Sequence, residues 1–140
     1  MKVMGLNNRE YTLDIKKYIV YDDDKRVISA PHKRARQLLR EIYSSYNILE
    51  EVKLPGSRDP SKKSVLFLDF FIAPIMMAVE IHGRQHYEHV PFFHKTKADF
   101  LQAKRRDEIK KQWCEINNID LIVLKYDEHK QWKQQLTNFG

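Results

Sequence analysis

Two acidic residues interrupt the main apolar stretch of this chain, and they do so symmetrically. Val65 to Tyr87, VLFLDFFIAPIMMAVEIHGRQHY, reads as two apolar strands joined by a short turn at Ala73-Pro74-Ile75. Asp69 lies five residues before Pro74 and Glu80 five residues after Ile75. A hairpin centred between Pro74 and Ile75 therefore sets them opposite each other on one face. Directly paired strand residues have Cβ atoms about 5 Å apart, and like charges so placed repel. A fold gains no stability from such a pair in an apolar hairpin. A divalent cation between them removes the repulsion, because hard cations take carboxylate oxygens. Magnesium, or manganese in its place, is the candidate.

The rest of the composition narrows the class. A chain of 140 residues is expected to form one domain with a single core. Its net charge of +6 favours a polyanionic partner. Cys114 is the only cysteine, which excludes an intrachain disulfide framework and a zinc site built on several thiolates. The sequence has no apolar run long enough for a membrane span, and MKVMGLNNRE lacks the apolar centre of a signal peptide. A cytoplasmic, reducing location is the expectation.

In chain order, residues 1–30 are expected to form a small N-terminal appendage packed on the core. Tyr11 to Tyr21 is apolar enough for a strand or short helix, and Asp22-Asp23-Asp24 marks a turn. Ser29-Ala30-Pro31 is a helix start, with Ser29 as cap and proline in the first turn. The helix is predicted from about His32 to Tyr46, with Ala35, Leu38, Leu39, Ile42, Tyr43 and Tyr46 as its apolar stripe. Ile48 to Leu54 reads as a strand, with Glu50 on the face of Ile48, Val52 and Leu54. Arg58, Lys62 and Lys63 lie on a polar loop before the hairpin. Glu88 to Lys97 interleaves Phe92 and Phe93 with His94, Lys95 and Lys97. Rings among cations suit stacked bases, and paired phenylalanines equally suit a core plug.

Ala98 to Asn117 is predicted to be a helix with Leu101, Ile109, Trp113 and Ile116 buried. Between Lys95 and Lys111 seven Lys or Arg side chains (Lys95, Lys97, Lys104, Arg105, Arg106, Lys110 and Lys111) face only three acids, which makes this segment the candidate phosphate-binding face. Ile119 to Tyr126 is a further strand, and residues 128–138 a terminal helix anchored by Trp132. Helix, three strands, helix, strand and helix imply an α/β fold with a mixed sheet flanked by helices.

Alternation sets Glu80 and His82 on one face of their strand. Gly83 permits a sharp exit, and Gln85 and His86 follow at once. Paired carboxylates suit a metal that orients a phosphodiester and acidifies a bound water. Histidine suits proton transfer near neutrality. Gln85 orients water or phosphate but is no base. For His82, a satisfied surface or core histidine is an equally good reading. Four histidines at irregular spacing (His82, His86, His89 and His94) make a weak transition-metal signal.

The segment LDFFI, then AVEIHGRQHY, resembles the catalytic segment of the PD-(D/E)XK, or restriction-endonuclease-like, nucleases, and within them a subgroup with a strand aspartate followed by Glu-x-x-Gly-x-Gln-His. KRRDEIKKQWCEINNIDLIVLKY is similar to the helix-strand tail of the very-short-patch repair endonucleases and of phage EDxHD-type homing endonucleases. The resemblance runs from about Pro31 to Tyr126. It implies a restriction-endonuclease-like core in residues 31–140 and metal-dependent hydrolysis of DNA. It makes Asp69 and Glu80 the metal-binding acids. The family lysine normally lies two residues after the second acid, where this chain has His82. The resemblance gives Gln85 the lysine's place in space and matches His86 to a histidine of the repair and homing relatives. It also implies a glutamate on the first helix, for which Glu41 is the candidate and Glu51 the alternative. Asp107 matches the Asp of the Arg-Asp helix, where it either supports the site or pairs with Arg105 or Lys111.

The expectation is thus a magnesium-dependent endodeoxyribonuclease, monomeric or homodimeric, acting on DNA that is double-stranded. A non-cleaving DNA-binding module and an RNA-processing nuclease are the alternatives.

Overall fold

A break in one strand ladder decides how this fold presents its acidic residues. The protein was analysed as a computed structural model, in which residues 1–21, 28–58, 65–84, 87 and 96–138 are described. A short hairpin, β1 (Lys2–Met4) with β2 (Glu10–Thr12), leads through a 3-10 turn at Ile15–Tyr18 to helix α1 (Ala30–Ile42). Strands β3 (Leu49–Lys53), β4 (Phe67–Ile72) and β5 (Met77–His82) follow, then helix α2 (Lys97–Ile116), strand β6 (Asp120–Lys125) and helix α3 (His129–Thr137). The last four strands form one sheet in the order β3-β4-β5-β6. The β3–β4 and β4–β5 pairs are antiparallel, whereas β5 and β6 are parallel and joined through α2. The fold is therefore α/β with a mixed four-stranded sheet. The Asp22–Asp24 turn, the 59–64 loop with Lys62 and Lys63, and the Phe92-Phe93 segment with Lys95 lie outside the described residues.

Helices α1 and α2 begin where the sequence supplies a cap. The Ser29 hydroxyl accepts from the His32 N–H at 3.3 Å, and Pro31 fills a first-turn position that needs no donor. Thr96 and Asp99 form a reciprocal box at the start of α2, each side chain accepting the other's N–H at 3.2 Å. Helix α1 ends earlier than its apolar stripe predicts. Tyr43 leaves helical geometry, and its hydroxyl donates to the Leu136 carbonyl of α3 at 2.5 Å.

Two cores lie on opposite faces of the sheet. Helices α1 and α3 cover one face, where Ala35, Leu39, Trp132 and Leu136 meet Phe70, Ile72, Met77 and Val79. Helix α2 and the N-terminal hairpin cover the other, where Trp113, Cys114, Val3 and Leu13 meet Leu49, Val52, Leu68, Phe71 and Ala78. The Asn117 side chain ties the appendage down, accepting from Met4 N–H at 2.7 Å and donating to the Met4 carbonyl at 2.9 Å. Leu101 and Ile116 depart from the predicted stripe, at 59% and 46% exposed. The middle of α2 stands off the sheet across a cleft, so its burial concentrates at Ala103, Trp113 and Cys114.

Glu51 adopts a left-handed conformation, φ +52°, in the middle of β3. That costs about 1–3 kcal/mol for a residue with a side chain. The kink reverses the alternation. Glu50 is therefore not on the face of Val52 and Leu54, as strict alternation predicts, but on the α1 face. There it accepts from both Arg36 Nε and an Arg36 terminal nitrogen, and pairs with His32 Nε2, all at 2.7 Å. The His32 ring stacks on Phe70, centroids 4.4 Å apart. Strand β4 shifts phase at the same level: Leu68 and Phe71 share one core, Phe70 and Ile72 the other. The ladder pairs Glu50 with Phe70 and Val52 with Leu68, and skips Glu51 and Asp69 between them.

Burial alone pushes the Glu50 carboxyl up, but its bonds to His32 and Arg36 prevail and hold it below its ordinary 4.5. A depressed carboxylate contributes stability above its unfolded pKa and loses it as pH falls through the folded value. Urea midpoints should therefore drop on acidification below about pH 4.5. The drop should be shallower in Glu50→Gln, which starts lower at neutral pH because Arg36 loses its anion. Equal acid losses in both proteins would remove Glu50 from this role.

Candidate active site

The ladder break positions Asp69. The β4–β5 register pairs Ile72 with Met77, Phe71 with Ala78 and Phe70 with Val79. One step further stand Asp69 and Glu80, directly across the hairpin. There a side chain replaces the backbone bond: Asp69 Oδ2 accepts the Ile81 N–H at 2.8 Å. The carboxylate thus leaves the strand edge and turns towards Glu80.

Glu80 points to the α2 face at 2% exposure, and Ile81 packs on the opposite core. Lys110 comes down from α2 to meet it, Nζ to Oε1 at 2.9 Å. The separation is that of a close, buried ion pair. Burial first, and then the neighbouring Asp69 charge, push the Glu80 carboxyl well above its ordinary range against the pull of Lys110. Burial also works against the Lys110 ammonium. Glu80, with Asp69 and Asp107, outweighs it and raises Lys110 above its ordinary value. Both directions come from one crowded group of two carboxylates and one ammonium. Lys110 has anions on more than one side, whereas Glu80 has one cation against burial and a second anion. Beneath it, burial and Glu80 push the Cys114 thiol up to about 12, so the thiol stays neutral.

His82 shares the Glu80 face. Its Nε2 lies 3.9 Å from Asp107 Oδ1, and its Nδ1 lies 3.4 Å from the Tyr87 hydroxyl. Glu80, His82, Tyr87 and Asp107 border a cleft of about 390 Å³ between α2 and strands β5 and β6.

The other predicted residues distribute as follows. Gln85 and His86 lie outside the described residues. Glu41 is exposed on α1, which covers the face opposite to Glu80, so it does not complete this site. Glu51 borders a separate hollow at the outer edge of β3, with Lys17, Tyr18 and Phe67. Lys97, Lys104, Arg105 and Lys111 are exposed along α2, and Arg58 is exposed after β3. Arg106 is half-buried. Lys110, expected on the phosphate-binding face, is a correction: its side chain is 17% exposed and engaged with Glu80. Its spacing carried a signal, since Asp107, Lys110 and Cys114 stand three and four residues apart and so share one helix face, with the buried Trp113 adjacent.

The residues fit a divalent cation in part. Asp69 and Glu80 supply two adjacent carboxylates. Among the described residues no group of three or more His, Cys, Asp or Glu side chains gathers as a complete metal set. Water and substrate oxygens would have to fill the remaining positions, as is usual for magnesium.

No helix among the described residues is long and apolar enough to cross a membrane. The chain is similar to three iridovirus proteins. It is 39% identical over 61 residues to uncharacterized protein 307L of Invertebrate iridescent virus 6, covering 44% of this chain and 31% of that one. It is 36% identical over 69 residues to uncharacterized protein 033L of Invertebrate iridescent virus 3, covering 49% and 36%. It is 35% identical over 78 residues to uncharacterized protein 094L of Frog virus 3 (isolate Goorha), covering 55% and 50%. The matched region thus spans half or less of each relative's own length. No family model matches the chain, and no solved structure matches it.

Proposed function

We propose that this chain is a metal-dependent nuclease with a restriction-endonuclease-like core, acting on DNA. The observation that carries the reading is the meeting of Asp69, Glu80 and Lys110, from β4, β5 and α2, with Glu80 and Lys110 lining a cleft. The order α1-β3-β4-β5-α2-β6, with β5 and β6 parallel, is compatible with the core that the sequence resemblance implies.

In this reading Asp69 and Glu80 hold Mg2+ or Mn2+, which supplies Lewis acidity and a water of lowered pKa. The sequence has histidine where the family lysine stands, and Lys110 brings an ammonium to the same acids from the neighbouring helix. Lys110 would serve there as a positive charge beside the phosphate. Water oxygen bonds to phosphorus, the bridging P–O bond breaks, and the leaving oxygen takes a proton. His82, steadied by Asp107 and Tyr87, is the described group placed to carry that proton.

Supercoiled plasmid incubated with magnesium should be nicked or linearised, and EDTA should prevent it. Matched DNA and RNA substrates separate the polymers. Undamaged plasmid and RNA under all metal conditions would leave only a binding module. The viral relatives are compatible with a mobile or virus-borne enzyme of the homing or nicking kind.

Exposed cations on α2 give affinity by neutralising phosphates, without reading sequence. Log affinity should fall linearly with log salt, with a slope of about −0.9 per phosphate contact. Replacing Arg105 and Lys111 by alanine should flatten the slope by up to about two units. Salt-independent binding would sink this assignment.

A further inference from the structure

The cleft beside Glu80 has a second property. It is a half-open hollow of about 390 Å³. Its floor is apolar, made by Leu121 and Val123 of β6. Tyr87, exposed at 37%, presents an aromatic ring at the wall, and His82 lies beside it with ring centroids 6.0 Å apart. Lys104 and Lys111 stand at the α2 side, both exposed.

Small-ligand sites begin at about 300 Å³ and combine apolar walls with a few polar groups. A duplex, with a major groove about 12 Å wide, presents only its backbone and groove edges to such a hollow. A single nucleotide out of the stack matches it better: an apolar floor and ring for the base, and cations for the flanking phosphates. We propose that this cleft is a subsite for one unpaired nucleotide of a polynucleotide strand, set directly beside the Asp69–Glu80 pair. The proposal deepens the nuclease reading and rests on it for the polymer. It selects bulged, mispaired or single-stranded positions over intact duplex.

Binding by fluorescence anisotropy in calcium buffer tests the subsite without requiring cleavage. The probes are a fully paired DNA hairpin and the same hairpin with one unpaired adenine, each also in the ribose form. The unpaired probe should bind about tenfold or more tightly in at least one of the two forms. Leu121→Trp, which fills the floor, and Tyr87→Ala, which removes the ring, should each bring that ratio close to one. Leu121→Trp should leave affinity for the paired hairpin unchanged. Tyr87 is exposed, so Tyr87→Ala decides the matter if Leu121→Trp fails to fold. Equal affinities in the parent, or a preference unchanged in Tyr87→Ala, would overturn the subsite. Plasmid cleavage without any preference leaves the nuclease reading standing and removes the subsite. Preference without cleavage of any probe leaves the subsite and removes the nuclease.

Discussion

Replacing Lys110 by methionine should abolish magnesium-dependent cleavage and lower metal-free stability, and magnesium should then restore part of that stability. The side chain sets a cation 2.9 Å from Oε1 of the buried Glu80. Removing one partner of a buried ion pair costs about 3–5 kcal/mol when the remaining charge cannot adapt. Glu80 adapts in part, because burial and Asp69 already raise its pKa and protonation relieves it. The expected loss is therefore below that range. A divalent ion that binds the folded state stabilises it by mass action, so the magnesium increment should be larger in Lys110→Met than in the parent. A pair serving only as scaffold predicts lower melting with no magnesium response. Melting curves of both proteins with EDTA and with magnesium read the difference. A folded Lys110→Met protein that still cleaves at the parent rate would sink the role given to Lys110.

The second large effect is expected at the acids, and it should cost less stability at Glu80 than at Lys110. Partners one shell outside a metal site are worth about 10–100-fold in affinity or activity, so losing a charged ligand should exceed about 100-fold. Asp69→Asn and Glu80→Gln should each lose cleavage by at least that. The raised Glu80 pKa means that burial and the Asp69 charge disfavour its ionised form. Such a carboxylate gives a folded state that gains stability as pH falls through the raised value towards 4.5. Glu80→Gln removes that burden but leaves the Lys110 ammonium with only Asp69 and Asp107 near it, so in EDTA it should lose less stability than Lys110→Met. Asp69 has a further task, since its Oδ2 holds the Ile81 N–H. Asparagine keeps an acceptor there, whereas Asp69→Ala leaves a strand N–H without one and should cost about 1 kcal/mol or more. A series in which Asp69→Asn and Glu80→Gln both melt lower and still cleave would show these acids to be scaffold.

The hairpin around these acids was legible because its information is local. The spacing about Pro74 and Ile75 sets the turn centre, and the observed register from Ile72–Met77 back to Phe70–Val79 has that same centre. The period of two places Glu80 and His82 together, and both border the cleft. Ser29 and Thr96 mark helix starts for the same reason: a cap is satisfied within one turn.

Glu51 was not legible in that way. Nothing in ILEEVKL signals a left-handed residue, and one such residue moves Glu50 to the opposite face, where His32 and Arg36 meet it. The strain persists because two packed cores and a buried Arg–Glu–His network hold it in place. The placement of Glu41 was not legible for a different reason. Helical periodicity shows which side of α1 is apolar but not which face of the sheet the helix will cover.

By itself, then, the sequence determined the acidic hairpin, its register and the caps of α1 and α2, since each depends on residues within one turn or one β-loop. Tertiary structure alone decided that Lys110, thirty residues beyond Glu80 in a basic helix, is buried against it. The parallel β5–β6 pair carries α2 across the Glu80 face of the sheet, and α1 lies behind it. Burial there makes an ammonium next to a carboxylate favourable, whereas the same lysine on an exposed turn would remain in solvent.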